Sequence, residues 1–192
     1  MKAADILRMQ LRGSCDLVAE HAGLVEGVWS ERAAPGTSLP GFVVWHCARI
    51  IDWGVNTCVR SEPEIAADSP WREKLRYEMG HGAGLSDLEA DDVAATVVAA
   101  DVIAYADELR NSIMRWMDAL ADSDLERTVD VRAANAAHSR YSGPAAWEEV
   151  KNLQDAPVWQ FLMRPCGAHI RVHMGELETL TRVIGSQRRA IA

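Results

Sequence analysis

The chain has 192 residues, of which 48% are hydrophobic and 25% are charged, and its formal net charge is −8. This apolar content excludes intrinsic disorder over the whole length, and no apolar run approaches the roughly 20 residues of a membrane span. The negative charge disfavours nucleic-acid binding, which normally begins with a basic surface. The first residues lack the apolar stretch of a secretory signal and Asp5 follows at once, so we expect a cytoplasmic protein with no membrane partner.

Apolar residues recur at steps of three and four over long stretches, which indicates amphipathic helices. The first helix is predicted over about residues 4–31, where a Pro- and Gly-rich segment ends it, and the second over 41–60. Two more are predicted over 101–121 and 157–185. Nothing in the pattern favours a strand. We therefore predict an all-α fold, a four-helix bundle that forms a single domain over residues 1–192.

Local signals mark the ends of the predicted helices. Ser86, followed three residues later by a glutamate, forms a capping box that predicts a short helix, and Asp101 is expected to cap the third long helix. Pro165 lies inside the last helix and removes one backbone hydrogen bond, which predicts a kink or break near residues 164–166. Gly185 is expected to close that helix.

Histidines occupy core positions of these helices. His169 and His173 are four residues apart on an apolar stripe, so both rings lie on one side of the helix. Two buried imidazoles are costly unless something binds both, and a metal ion does. His46 lies on the inward stripe of the second helix and offers a third nitrogen. Three ligands leave one coordination position open, as in catalytic sites, whereas the alternative for each histidine is a hydrogen-bonded core residue.

Glu176 follows His173 by three residues on the same helix face. In that position it orients a ligand or acts as a base, and the alternative is a solvated or salt-bridged surface residue. The pair of histidines is not the HExxH motif of zinc proteases, because Ile170 stands where that motif has its catalytic glutamate.

Other histidines and cysteines are weaker candidates for the site. His21 also faces inward and is a possible fourth ligand or a neighbour of the ligands. Cys166 lies three residues before His169 on the predicted face, where it is a thiolate ligand or a small core residue. His81 and His138 lie in predicted loops and are expected to be solvated.

Two segments carry a resemblance to a known family. Val44–Trp53 resembles the second-helix motif of the DinB-like family, a four-helix metal-binding family related to mycothiol-dependent maleylpyruvate isomerase. His169–Leu177 is similar to the last-helix motif of that family, HxxxHxGEL. The similarity covers roughly residues 5–185. The isomerase branch of the family has a glutamate where this chain has His169.

The resemblance implies an up-down-down-up four-helix bundle that is often dimeric, so we expect a homodimer. It also implies that His46, His169 and His173 bind one divalent ion, usually zinc or nickel. Several relatives are thiol S-transferases that use thiols such as mycothiol or bacillithiol. The partners implied are therefore a small-molecule thiol and an electrophile. The alternatives are a metal-dependent hydrolase of an amide or ester, and a metal-binding protein without catalytic activity.

Further residues are predicted to support such a site. Arg49 and Arg164 are candidates to hold a carboxylate or sugar hydroxyls of a cosubstrate. The candidate catalytic or ligand-supporting residues are Glu176, Arg49 and Asp52. The candidates for the wall of the pocket are Trp45, Trp53, Trp159, Cys166 and His21.

Overall fold

The structure is a computed structural model, and it describes residues 3–136 and 138–191. Over these residues the secondary structure is helical and no strand is present; an isolated bridge joins Thr128 to Pro157. The prediction of an all-α protein is confirmed. None of the helices in the described part of the chain is both long enough and apolar enough to cross a bilayer.

The described part of the chain contains nine α-helices, joined in places by π-helical and 3₁₀ segments. Helix α1 spans Ala3–Val25, and α2 spans Pro40–Asp52 and continues as a π-helix over Trp53–Arg60. The short helix α3 and the longer α4 and α5 follow, over Trp71–Lys74, Asp87–Thr96 and Ala99–Ala119. The last four helices, α6 to α9, cover Val131–Asn135, Pro144–Val150, Val158–Met163 and His169–Ile191. Short 3₁₀ turns lie at Glu26–Val28, Ile65–Ala67, Tyr77–Met79, Asp122–Glu126 and Lys151–Leu153.

The long helices pack on one another through their apolar stripes. Helix α1 lies against α5 along most of its length and also contacts α2 and α9, while α2 contacts α9 directly. Leu11 and Val18 of α1, Leu109 and Ile113 of α5 and Leu177 of α9 are almost completely buried. Burial of a side chain of this size stabilises the fold by about 1.5–3 kcal/mol. This packing brings the inward faces of α2 and α9 together.

The predicted helix ends are partly right. Ser86 caps α4 as expected, since its side chain accepts from the Glu89 amide while the Glu89 carboxylate accepts from the Ser86 amide. The cap predicted at Asp101 is wrong, because α5 begins at Ala99 and Asp101 lies in its first turn. The first predicted helix is too long, since α1 ends at Val25 and a 3₁₀ turn follows.

The last helix does not end at Gly185, so that prediction is wrong. Helix α9 continues to Ile191. Its final turns are held against the segment after α1, where Gln187 donates to the carbonyl of Ala33 at 2.8 Å and Arg188 pairs with Glu31. These contacts offset the low helix propensity of a glycine, which costs about 1 kcal/mol in a helix interior.

The break predicted near residues 164–166 is confirmed. Helix α8 and helix α9 are joined by a π-helical segment, Arg164–Ala168, that contains Pro165. A π turn accommodates an extra residue and so shifts the face on which the preceding residues lie. As a result Cys166 points into the core beside Gly54, where a β-carbon would come within 2.6 Å of its sulfur.

Candidate metal centre

Three imidazole nitrogens converge between α2 and the start of α9. The Nε2 atom of His169 lies 2.9 Å from Nε2 of His46 and 3.1 Å from Nε2 of His173. The rings meet edge to face, at interplanar angles of 72–82°. The prediction that these three residues lie together is confirmed, and within the described residues they form a group able to hold a metal ion.

The two nitrogen separations that involve His169 fit a single ion, and the ligand atoms of all three histidines lie within 4.8 Å of one another. Two nitrogens at about 2.0–2.1 Å from one ion, with tetrahedral or octahedral angles between the bonds, lie about 2.8–3.4 Å apart. Both measured separations fall in this interval. Three nitrogen ligands suit zinc, nickel and related divalent ions and leave at least one coordination position for another molecule.

Hydrogen bonds at the far side of two rings point their Nε2 lone pairs toward the centre. His46 donates from Nδ1 to the carbonyl oxygen of His81, and His173 donates from Nδ1 to the Glu176 carboxylate at 2.7 Å. Both acceptors lack a proton to give, so each Nδ1 carries the proton and each Nε2 is an acceptor. If His169 carries a proton on Nε2, it can donate well to the Nε2 atom of only one of the other two histidines. A cation would instead accept a lone pair from all three Nε2 atoms.

Burial keeps the imidazoles of His46 and His169 neutral, the form that binds metal. Desolvation, with a smaller contribution from His169 and His173, lowers the pKa of His46 to about 3. Desolvation and the neighbouring His173 lower the pKa of His169 to about 4. These two rings can therefore bind a cation at neutral pH without first losing a proton.

A glycine-rich loop supplies the carbonyl that orients His46. Gly80 and Gly82 have φ angles of +64° and +102°, a region that favours glycine. A β-carbon on Gly82 would lie 3.2 Å from His46 Nδ1 and from the rings of Phe42 and Trp45. The loop therefore packs closely against α2, and the His81 carbonyl meets the His46 ring for this reason.

A cavity of about 290 Å³ opens beside the three histidines and is lined by two of them, His46 and His169. Its apolar wall includes Ile50, Trp53, Leu153 and Pro165. Its polar groups come from His81, Glu149, Asn152 and Arg164. A molecule in this cavity would lie next to the open coordination position.

Glu176 lies where the sequence placed it. Its carboxylate accepts from Nδ1 of His173, so it is placed to fix the orientation of that ring. A carboxylate in this position fixes the orientation of a ligating ring and raises its basicity. The same hydrogen bond occupies Glu176, so it is not a free base in the cavity.

Arg49 and Asp52 belong to a different, fully buried cluster. The Arg49 guanidinium is 0% exposed, pairs with Glu64 at 2.8 Å and donates to the carbonyl of Gly80 at 3.1 Å. Asp52 accepts from the Tyr105 hydroxyl and from two backbone amides at 3.0–3.1 Å. Because these charges are already paired, neither residue is available to a cosubstrate, and their predicted direct role at the site is not supported.

The five predicted pocket residues differ in their outcome. Trp53 lines the cavity, with its ring 4.7 Å from that of His81. Trp45 does not line this cavity; it is fully buried in the core and donates to the Leu75 carbonyl. The predictions that the other three residues line the pocket are also wrong. Trp159 is 44% exposed and outside the cavity. Cys166 is enclosed away from the histidines by the π turn, and His21 lies in a separate surface groove between α1 and α9, so neither is a ligand.

Sequence reasoning missed His81 and Glu149. His81 was expected to be solvated, but it is only 2% exposed because the glycine loop folds onto α2. Burial lowers its pKa well below the usual value. His138 is half-buried and stacks on Tyr141. Glu149 lies on α7, a helix that the sequence analysis did not predict, and the Pro at its first turn was the available signal.

The cysteines do not supply a nucleophile. Cys15, Cys47, Cys58 and Cys166 are free and buried, and burial raises the pKa of all four, that of Cys15 to about 12.

We expect the folded protein to react with a disulfide reagent such as DTNB roughly a hundredfold more slowly than the unfolded protein, because the thiolate is the reactive form. Counting released thionitrobenzoate before and after denaturation tests this. One fast-reacting thiol in the folded protein would contradict it.

Comparisons of the chain with protein-family models, with curated proteins and with solved structures found no match. The geometry of the histidine centre and its cavity therefore carries the functional proposal.

Proposed function

We propose that the protein is a metal-dependent enzyme that transfers a low-molecular-weight thiol to an electrophile. The observation that carries this proposal is the convergence of three Nε2 atoms beside a cavity that two of the rings line. A divalent ion supplies Lewis acidity that lowers the pKa of a thiol, so that the nucleophilic thiolate exists at neutral pH. Zinc and nickel are the candidate ions, in accord with the DinB-like motifs.

Each residue near the centre has a part in this proposal. His46, His169 and His173 hold the ion, while the Glu176 carboxylate and the His81 carbonyl fix two of the rings. The thiol is a separate molecule, since the protein's own four thiols are enclosed. It enters the cavity, whose volume of about 290 Å³ is at the lower end for small-molecule sites.

Arg164 is the candidate for binding an anionic group of a substrate. It lines the cavity and is exposed, and its guanidinium has no ion pair or hydrogen bond with the described residues. Guanidinium groups bind carboxylates through two parallel hydrogen bonds. A carboxylate on the thiol or on the electrophile fits this arrangement.

A metal-dependent hydrolase is the second candidate, and Glu149 is the observation that favours it. Its carboxylate lines the cavity and accepts from the Gly84 amide at 3.2 Å. Burial raises its pKa above the usual value, in the direction expected for a general base or acid. In such an enzyme Glu149 would take the proton from a water molecule that attacks an amide or ester.

The proposal extends to the fold family, the assembly and the location. We propose that the long helices form the up-down-down-up bundle of the DinB-like family and that the protein is a homodimer. The packing of α1 on α2, α5 and α9 supports a bundle of four long helices. Reduced cysteines are typical of the cytoplasm, which is the location we propose, and all four cysteines here are free.

Thiol conjugation tests the proposed activity. Protein reconstituted with zinc or nickel is mixed with monochlorobimane and, in turn, cysteine, mycothiol or bacillithiol, and the fluorescent conjugate is measured. We expect conjugation with at least one thiol to exceed the uncatalysed rate, to stop on chelation and to return with metal. Glu149→Gln should retain this activity, because the thiolate forms without a carboxylate base.

The other outcomes separate the alternatives. Turnover of amide or ester substrates without a thiol, abolished in Glu149→Gln, would establish the hydrolase and refute the transferase. A bound ion that leaves both reactions at their uncatalysed rates, and whose coordination shell no added thiol enters, would establish a non-catalytic metal protein.

A further inference from the structure

His81 is an unusual residue in this core because its ring is enclosed by aromatic groups. Its ring lies 4.7 Å from that of Trp53 and stacks on Tyr141 at 4.9 Å, and the residue is only 2% exposed. The backbone carbonyl of His81 has a clear role, since it accepts from His46. The side chain has no role in the contacts described so far.

The His81 imidazole is also unsatisfied. Nδ1 is fully enclosed and has no hydrogen-bond partner in the described residues, and no other described residue bonds to Nε2. A neutral imidazole has one N–H donor and one acceptor nitrogen, and buried polar groups normally have partners. Because Nδ1 is enclosed, Nε2 is the nitrogen that a molecule in the cavity can reach.

The cavity that His81 lines is the one beside the three metal-binding histidines. Of its other charged groups, the Glu149 carboxylate already accepts from the Gly84 amide, whereas Arg164 is unpaired in the described residues. The cavity thus offers an unpaired guanidinium and a buried imidazole without a partner. Both can donate to oxygen, so they are suited to a carboxylate.

We propose that His81 is a ligand-binding residue and that the cavity takes a small thiol that carries a carboxylate. The sulfur is directed to the metal, and the carboxylate accepts from His81 Nε2–H and from Arg164. This inference rests on the proposed function, because it requires the metal and the open position. It adds to that function the class of thiol and a residue that selects it.

Cobalt(II)-loaded protein titrated with mercaptoacetate tests the inference. Thiolate binding to cobalt is followed by the change in the absorption spectrum, and 2-mercaptoethanol serves as the uncharged comparison. In the wild type we expect mercaptoacetate to bind at least about tenfold more tightly than 2-mercaptoethanol. His81→Phe keeps a stacked ring and the backbone carbonyl but loses the nitrogens, and it should weaken mercaptoacetate binding about tenfold.

Two further measurements separate ligand binding from a structural role. His81→Gln places an amide near the position of Nε2 and should recover at least part of the lost affinity. His81→Phe should keep one cobalt per chain and show an unchanged or higher Tm, because it removes a buried polar group without a partner. A structural role would instead lower the Tm of His81→Phe.

Each contrary result overturns the inference at a different point. Equal mercaptoacetate affinity in the wild type and His81→Phe refutes the role of His81 while leaving the thiol transferase intact. Equal affinity for the two thiols in the wild type refutes the carboxylate. Loss of cobalt in His81→Phe would make His81 a metal ligand. Wild-type protein that binds no cobalt, or binds cobalt but neither thiol, refutes the inference together with the proposed function.

Discussion

His173→Ala is expected to lose most of the metal that the wild-type protein binds. His173 Nε2 lies 3.1 Å from His169 Nε2, so its removal leaves two nitrogens where three had converged. We expect the affinity to fall by more than roughly a hundredfold, the upper end of what removal of a ligand's hydrogen-bond partner costs. The zinc or nickel content of purified protein after dialysis, measured by mass spectrometry, checks this.

His21→Ala is the matched control, because His21 is also on a long helix and lies in the groove away from the centre. It should keep the wild-type metal content. The three centre variants, His46→Ala, His169→Ala and His173→Ala, should behave alike. Retention of one ion per chain in His173→Ala, with unchanged affinity, would refute the ligand assignment.

Glu176→Gln gives a graded comparison within the same experiment. The Gln side chain keeps the shape of Glu176 but can present its amide N–H₂ to His173 Nδ1, which then no longer donates. The carboxylate fixes the His173 ring and raises its basicity, so we expect a 10–100-fold lower affinity. An affinity as low as that of His173→Ala would show that Glu176 contributes more than orientation.

The sequence predicts the candidate metal centre because two of its histidines lie on one helix. His169 and His173 are four residues apart on an apolar stripe, and local periodicity is enough to place them together. The third member, His46, depends on the packing of α2 against α9, which the inward stripe of α2 indicates. The centre is therefore predictable where the information is local or repeated along a helix.

The cavity is less predictable, because it depends on long-range packing and on one backbone irregularity. His81 lies in a Gly-rich loop, a pattern typical of solvated segments, and only the approach of that loop to α2 buries it. Cys166 shares a face with His169 in a regular helix, but the π turn rotates it into the core. Arg49 is buried because Glu64 and two tyrosines from distant segments surround it, and no local pattern gives those contacts.

Arg49→Met is expected to destabilise the protein by about 3–5 kcal/mol. The substitution keeps the apolar volume but leaves the buried carboxylates of Glu64 and Asp52 without their cation. It also removes donors to Gly80 O, Tyr105 and Tyr141, so the glycine loop that orients His46 loses a support. Urea unfolding followed by circular dichroism measures the loss in free energy of unfolding.

The decrease in free energy of unfolding caused by Arg49→Met should become larger as the pH rises. Burial raises the pKa of Glu64 to about 6, while the Arg49 guanidinium opposes this rise. Without Arg49 the pKa rises further, so the folded variant holds a proton on Glu64 that the unfolded chain releases. A carboxyl group whose pKa is raised in the folded state stabilises the fold at low pH, and this contribution is lost as the pH rises. The difference in free energy of unfolding between the wild type and Arg49→Met should therefore grow between about pH 6 and pH 8.

Two variants distinguish this effect from a general loss of charge. Arg8→Met removes an exposed partner of Asp118 and should cost less than about 1 kcal/mol, as exposed pairs do. Adding Glu64→Gln to Arg49→Met removes one orphaned carboxylate and should recover part of the stability, most of all at pH 8. Because the ion pair lies beneath the loop rather than in the cavity, the destabilised Arg49→Met protein should still bind metal while it is folded. A stable Arg49→Met protein with a pH-independent free energy of unfolding would refute the buried pair as the support of this loop.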